Sequence, residues 1–238
     1  MTVQSSYSFT PVGVIHSPYK QKFAIPRQPG LVTAAHGKLE LLIADNQLEL
    51  IRDIEQHSHL WLVFVFHGTS EQGWKPLVKA PRLGGNKKTG VFSTRSTFRP
   101  NPIGMSVVKL TGTSTVNGNL ALDISGLDLL DGTPILDIKP YIPYSDSVQD
   151  AQSIMAPMPE QTNFVISFTD NAQQQLLSLG SNYQDLRLFI EQVLNQDPRP
   201  AYKKAQTDRQ EYGMNLYDLN IRWQIHNNDC TVLSIEKS

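Results

Sequence analysis

Between Thr94 and Gly104 the chain reads TRSTFRPNPIG, with two arginines four positions apart, two prolines and an asparagine. Guanidinium forks hold carboxylates and phosphates through paired hydrogen bonds. Pro100 and Pro102 fix their own backbone and push Arg99 and Asn101 out of the helical region. Drawn as an extended chain, the run puts Arg95, Thr97, Arg99 and Asn101 on one polar face. That is a stiff cationic segment suited to an anionic ligand. The plainer alternative is a surface loop whose arginines tie two strands together. Gly104 then permits a turn or a close approach by another group.

Other stretches carry chemistry-bearing residues. Phe23–Leu31 (FAIPRQPGL) is proline-stiffened and holds Arg27. Leu127–Pro134 (LDLLDGTP) ends in a strong turn signal. Gln196–Lys204 (QDPRPAYKK) interleaves Arg199, Tyr202, Lys203 and Lys204 with prolines, a pattern suited to a phosphate contact beside a stacking ring. Arg82–Gly90 (RLGGNKKTG) reads as a flexible basic loop carrying Lys87 and Lys88, and its spacing is not that of a P-loop. His57, His59 and His67 have no carboxylate or thiolate at metal-binding spacing. His67, at the end of an apolar run, stands where a site can form. No glycine fingerprint opens a βαβ unit, so a Rossmann nucleotide fold is unsupported.

These stretches need a scaffold. The 238-residue chain is 39% hydrophobic and 18% charged, enough for a packed core. One cysteine, Cys230, allows no intramolecular disulfide framework and fits a reducing, cytoplasmic setting. No apolar run is long enough to span a bilayer, and the first residues lack a signal-peptide pattern. Net charge is −1, but from Gln72 to Leu122 there is no acid, while eight of the 21 lysines and arginines lie there. A local positive field on a near-neutral chain points to an anionic partner.

Periodicity divides the chain. Residues 1–145 read as β: Val12–Ile15, His59–His67, Gly104–Leu110, Leu120–Ile124 and Ile135–Ile138 are strand signals, with a turn at Val116–Asn119. The apolar run His59–His67 predicts a strand buried on both faces. Many short strands with Gly and Pro punctuation suggest a sandwich or barrel. Residues 146–163 lack periodicity and read as a linker. Residues 164–238 predict a small α+β unit: a strand at Phe164–Phe168, a helix capped by Asp170, and a helix with its stripe at Leu186, Phe189, Ile190, Val193 and Leu194. A final hairpin turns at Asn227–Asp229. So small a unit is expected to pack on the β domain.

The segments SPYK (17–20), PRQPGL (26–31), GVFSTRSTFRPNPIGMS (90–106), DGTP (131–134), DIKPY (137–141) and DPRPAY (197–202) together resemble the TrmO family. Its members are S-adenosylmethionine-dependent tRNA methyltransferases with a β-barrel catalytic domain. The resemblance implies methylation of N6 of N6-threonylcarbamoyladenosine at tRNA position 37, next to the anticodon, by a cytoplasmic homodimer. It implies a cofactor pocket lined by Pro29, Gly30, Leu31, His67, Gly68, Arg95, Met105, Asp131, Gly132, Thr133, Pro134 and Ile135. Arg99 and Asn101 would shape that pocket or face the RNA. With Lys87 and Lys88 of the basic loop, Asp197, Arg199, Tyr202 and Lys203 would place the tRNA. Deprotonating the target nitrogen calls for a general base, with His67, Asp131 and Tyr202 as candidates. The residues alone leave two other readings open: a non-catalytic RNA-binding barrel, and a methyltransferase acting on a small molecule or protein.

Overall fold

The computed structural model describes residues 6–79, 88–154, 162–179, 182–200, 203, 204, 206 and 208–238. Six antiparallel strands form a closed barrel in the order β1-β2-β7-β6-β3-β8. They are β1 (Gly13–His16), β2 (His36–Leu41), β3 (His59–Val65), β6 (Ile103–Val116), β7 (Asn119–Ser125) and β8 (Pro134–Pro140). Closure comes from β1, which pairs with β2 along one edge and with β8 along the other. A closed ring leaves no strand edge unpaired. Two strands form a separate hairpin, β4 (Leu77–Lys79) and β5 (Lys88–Gly90). Two short helical turns, α1 (Gln47–Leu50) and α2 (Pro143–Asp146), lie between and after the barrel strands.

The run predicted as doubly buried alternates instead. Leu60, Leu62 and Phe64 of β3 point into the barrel and are buried; Trp61, Val63 and Val65 point outward and are half-buried. The strand also stops at Val65, so Phe66 and His67 lie beyond it. A barrel strand has one inner and one outer face, and no second layer covers this outer one. Strand β2 gave no sequence signal, because its first half, His36-Gly-Lys, is polar and only half-buried.

The C-terminal unit is a four-stranded sheet, β10-β11-β12-β9, built from β9 (Val165–Phe168), β10 (Gln210–Leu216), β11 (Leu219–His226) and β12 (Asp229–Lys237). It carries the helices α3 (Asp170–Leu179) and α4 (Leu186–Asn195). Thr169 rather than Asp170 caps α3, its Oγ1 accepting the Ala172 N–H at 3.2 Å. The α4 stripe is buried at the five predicted positions.

One apolar core runs through both units. At their junction the Tyr19 ring meets Phe189 of α4 edge-on at 5.7 Å, and Phe189 meets Tyr217 at 5.6 Å. Tyr217 donates its N–H to Pro18 O at 2.7 Å, and Gln192 of α4 bridges Thr33 and Ala34. Phe189 is fully buried. Replacing a buried aromatic by alanine typically costs ~3–5 kcal/mol. Phe189→Ala should lose about that much in urea unfolding, with barrel and C-terminal probes shifting together because the core is shared.

Candidate active site

One end of the barrel opens into a cleft of about 330 Å³. Four connecting segments and two strands, β3 and β6, build it. The 20–28 strap contributes Lys22, Ile25, Arg27 and Gln28; the chain leaving β3 contributes Phe66, His67 and Gly68; the arginine-rich loop contributes Arg95 and Thr97. Met105 and Ser106 come from β6, and Asp128, Leu129, Leu130 and Thr133 from the β7–β8 connection.

The arginine loop does not run extended. Ser96 N–H is accepted by Thr94 Oγ1 and Phe98 N–H by Ser96 Oγ, both at 3.2 Å, so two successive hydroxyl turns curl the chain. Alternation then fails. Arg95 and Thr97 reach the cleft, whereas Arg99 folds back to donate to Thr94 O (3.1 Å) and Ser96 O (3.4 Å) and lies over the Phe92 ring. Arg99 therefore braces the loop, and Asn101 is exposed beyond it. Gly104 has a steric reason: a Cβ there would collide with the rings of Phe64 and Phe66. Arg95 donates to the neutral Gln28 Oε1 at 2.6 Å, which steadies the side chain and leaves its charge uncompensated.

Within the DGTP turn only Thr133 lines the cleft, and Asp131 has a different task. Asp131 Oδ1 accepts the Ser17 N–H at 2.8 Å and Oδ2 pairs with Lys20 Nζ at 2.6 Å. Its backbone N–H donates to Tyr19 O and that of Gly132 to Ile15 O. Asp131 is thus a latch between the turn and the end of β1, with both carboxylate oxygens engaged. Gly132 sits at φ +76, the left-handed region glycine tolerates. Thr133 lines the cleft, Pro134 begins β8, and Ile135 is wholly buried in the core. Pro29 and Gly30 face a neighbouring hollow of about 570 Å³ with His36, His59 and Lys109, and Leu31 is half-buried outside the cleft lining.

The residue that sequence reading passed over is Asp128. It lies in the stretch noted only as a turn signal, and nothing in its spacing marks it. Its carboxylate accepts a 2.5 Å hydrogen bond from Ser106 Oγ on the neighbouring β6. Burial pushes its pKa up to about 6, against the lowering effect of that hydrogen bond and of the Arg95 charge. A carboxylate poised near neutrality beside a cleft is suited to moving protons. Nearby, the Tyr19 hydroxyl is buried without a hydrogen-bond partner among the described residues, and burial raises its pKa well above the ordinary value.

In the C-terminal unit Asp197 and Arg199 satisfy each other. Arg199 donates from Nε (2.7 Å) and Nη2 (3.0 Å) to the Asp197 carboxylate, and both residues are buried. Lys204 Nζ adds a bond to Asp197 O at 2.8 Å. This network fixes the turn after α4, where Asp197 has φ +49, and so Asp197 and Arg199 shape the loop from within. Lys203 is half-buried and Lys88 lies exposed on the β4–β5 hairpin; Lys87 and Tyr202 fall outside the described residues.

The cleft fits S-adenosylmethionine by donor set. Arg95 and Asp128 face one cavity with opposite charges, matching a carboxylate and a cationic centre of a sulfonium amino acid. The Ile25, Phe64, Phe66 and Leu129 side chains offer apolar contact for a purine. Among the described residues no cluster of His, Cys, Asp and Glu is arranged to hold a metal ion.

The chain is similar to known proteins over nearly its whole length. Residues 14–147 match the model of the tRNA-methyltransferase O N-terminal domain, and residues 161–238 match that of the TrmO C-terminal domain. A tRNA (adenine(37)-N6)-methyltransferase from Escherichia coli is 49% identical over 232 residues, covering 98% of this chain and 99% of that protein. A Pseudomonas aeruginosa relative, provisionally named as an S-adenosylmethionine-dependent methyltransferase, is 48% identical over 219 residues and 92% of each chain. A crystal structure of TrmO from Pseudomonas aeruginosa superimposes with a TM-score of 0.79 at 40% identity, covering 97% of this chain and 98% of that one.

The raised pKa of Asp128 carries a stability consequence. The folded state binds its proton more tightly than the unfolded chain does. The cost is therefore absent below about pH 4, grows as pH rises, and is complete above about pH 6. A shift of about two units corresponds to up to ~3 kcal/mol. Asp128→Asn should melt higher than the parent protein at pH 7–8, and the advantage should vanish at pH 4 in parallel thermal scans.

Proposed function

The chain belongs to the tRNA-methyltransferase O family, both of whose domain models it matches, and from that membership we propose that it methylates N6 of adenosine 37 in tRNA when that base carries its threonylcarbamoyl group. S-adenosylmethionine, when bound, supplies an electrophilic methyl on a sulfonium. The observation that carries the reading is the presence of Arg95 and of the desolvated Asp128 carboxylate in the lining of one largely apolar cleft.

Arg95 binds the cofactor carboxylate, and its bond to Gln28 fixes the guanidinium before binding. Alignment supplies much of the acceleration in an in-line displacement, so fixing one end of the donor matters. The acceptor nitrogen is conjugated to a carbamoyl group and must lose its proton as the N–CH₃ bond forms and the S–CH₃ bond breaks. Asp128 takes that proton, and the Ser106 hydroxyl orients the receiving carboxylate. At pH 7 a group with a pKa of about 6 is mostly ionised yet still basic enough to accept a proton. Of the earlier candidates, Asp131 is held by Ser17 and Lys20 and is set aside, while His67 remains on the cleft wall.

The RNA faces the acid-free stretch. Among the described residues, no carboxylate forms an ion pair with Lys22, Arg27, Lys75, Lys88, Arg95 or Arg99. Their charge is free to attract phosphate, and binding should weaken with salt. We place a second copy of the chain on the apolar outer stripe of β3 and β6, where Met105 lies opposite Val63 and Ile103 opposite Val65. Met105 and Ile103 are exposed there at 52% and 39%. No described helix is long and apolar enough to cross a membrane. Because the proposed substrate is tRNA, we assign the cytoplasm as the site of action.

The test is a methyl-transfer assay on tRNA bearing threonylcarbamoyladenosine, with unmodified transcript beside it and nucleosides weighed after digestion. A gain of one methyl on the modified nucleoside alone is expected; no gain on either RNA sinks the reading. Below saturation, kcat/KM should rise through about pH 6 and level off above it as Asp128 ionises. Asp128→Asn should abolish that limb. Arg95→Ala should weaken cofactor binding about ten- to hundredfold by calorimetry, the usual loss of a charged hydrogen bond.

A further inference from the structure

Three segments that line the cleft each carry a well-exposed aromatic ring, with a cation next to it in sequence or over its face. On the strap, Phe23 is 64% exposed next to Lys22. On the segment leaving His67, Trp74 is 57% exposed next to Lys75. On the arginine loop, Phe92 is 77% exposed with the Arg99 guanidinium over its ring at 5.9 Å. The last two are tied together: Lys75 N–H donates to Phe98 O at 3.1 Å, and Val91 N–H to Pro76 O at 3.0 Å. Glu71 is the one acid on the three segments.

Rings left this far out of the core forfeit their hydrophobic gain, and exposed aromatics grouped around a cleft mark a contact surface. Apolar burial against another protein does not call for a cation beside every ring. Unpaired nucleotides do, because each presents a flat base and a phosphate together. In the Phe92–Arg99 pair a guanidinium already lies over the ring, 5.9 Å from its centroid, so a cation and an aromatic face are presented together.

We propose that Phe23, Trp74 and Phe92 form a stacking platform around the cleft on which the unpaired RNA bases flanking the target nucleotide lie, with Lys22, Lys75 and Arg99 beside their phosphates. Stacking holds the loop open so that the target base enters the cleft alone. The proposal rests on the tRNA reading above and adds the way in which the RNA loop is held.

The probe is a fluorescent anticodon stem-loop RNA carrying the target adenosine, made with its flanking loop nucleotides intact or abasic. Phe92→Ala and Phe23→Ala should each weaken binding of the intact hairpin about tenfold, within the usual range for loss of one base–aromatic stack. The same variants should bind the abasic hairpin as the parent protein does, the signature of a direct coupling. Phe92→Trp should restore affinity, and S-adenosylmethionine binding should not change in any of them. Lys75→Gln should instead lower the slope of log K against log salt by about 0.7. Equal losses on intact and abasic hairpins overturn the platform, as does unchanged RNA affinity. A change of oligomeric state without a change in RNA affinity also overturns it and assigns the rings to a second copy of the chain. If the parent protein methylates the tRNA while the ring variants bind normally, this inference alone fails; if the parent neither binds nor methylates RNA, the functional reading fails with it.

Discussion

The placement of Tyr19 is the contact on which the rest of this structure depends. It lies just past β1, wholly buried, where barrel, cleft and C-terminal unit meet. Its ring packs on Phe189 of α4, its backbone bridges to Leu216 of β10, and its carbonyl receives the Asp131 N–H. One residue therefore joins the second sheet to the barrel and fastens the connection that carries Asp128. The Asp131 latch works at the same point, tying that connection to Ser17 and Lys20. This wall of the cleft is held from behind, by groups that lie outside its lining.

The same packing sets the chemistry. A carboxylate in water would titrate near 4 and accept protons poorly at neutral pH. Burial of the Asp128 carboxylate removes water from it, and this desolvation lifts its pKa. Ser106 prevents the group from being stranded, since an unpaired buried charge costs far more than a hydrogen-bonded one. Stability given up at Asp128 is offset by the core beneath it. A site of this kind is only possible on a barrel whose interior is already well filled.

Much of this was legible in the sequence, and the exceptions share causes. The strands of the barrel and the α4 stripe follow from alternation and from 3.6-residue spacing, which survive folding because burial enforces them. Strand β2 gives no alternation signal because its polar half, His36 to Lys38, is only half-buried and outside the core. The arginine loop reaches the cleft, but not with the alternation that an extended chain predicts. Alternation holds only in extended chain, and the hydroxyls of Thr94 and Ser96 curl this one. Asp128 was invisible because its character comes from partners distant in sequence, Ser106 above all. Asp197 and Arg199, which the family resemblance assigns to placing the tRNA, bond to each other inside the loop, and nothing in their spacing foretells that. Charge type is readable along a sequence, whereas charge availability depends on three-dimensional neighbours.

That distinction explains how an acid-free stretch of 51 residues is tolerated. Clustered cations repel one another, and the usual remedy is to pair them with carboxylates. Here the remedy is neutral. Arg99 is held by two backbone carbonyls and the Phe92 ring, Lys75 lies over Phe98 at 4.7 Å, and Arg95 rests on the Gln28 amide. Carbonyl dipoles and ring quadrupoles stabilise a cation without cancelling its charge. Carboxylates in those places would fix the same side chains equally well, but an anionic ligand would have to displace them, and the affinity gained from each cation would be spent on breaking an existing pair. Neutral anchors keep the loop ordered and the field intact, so order and charge are supplied by different atoms.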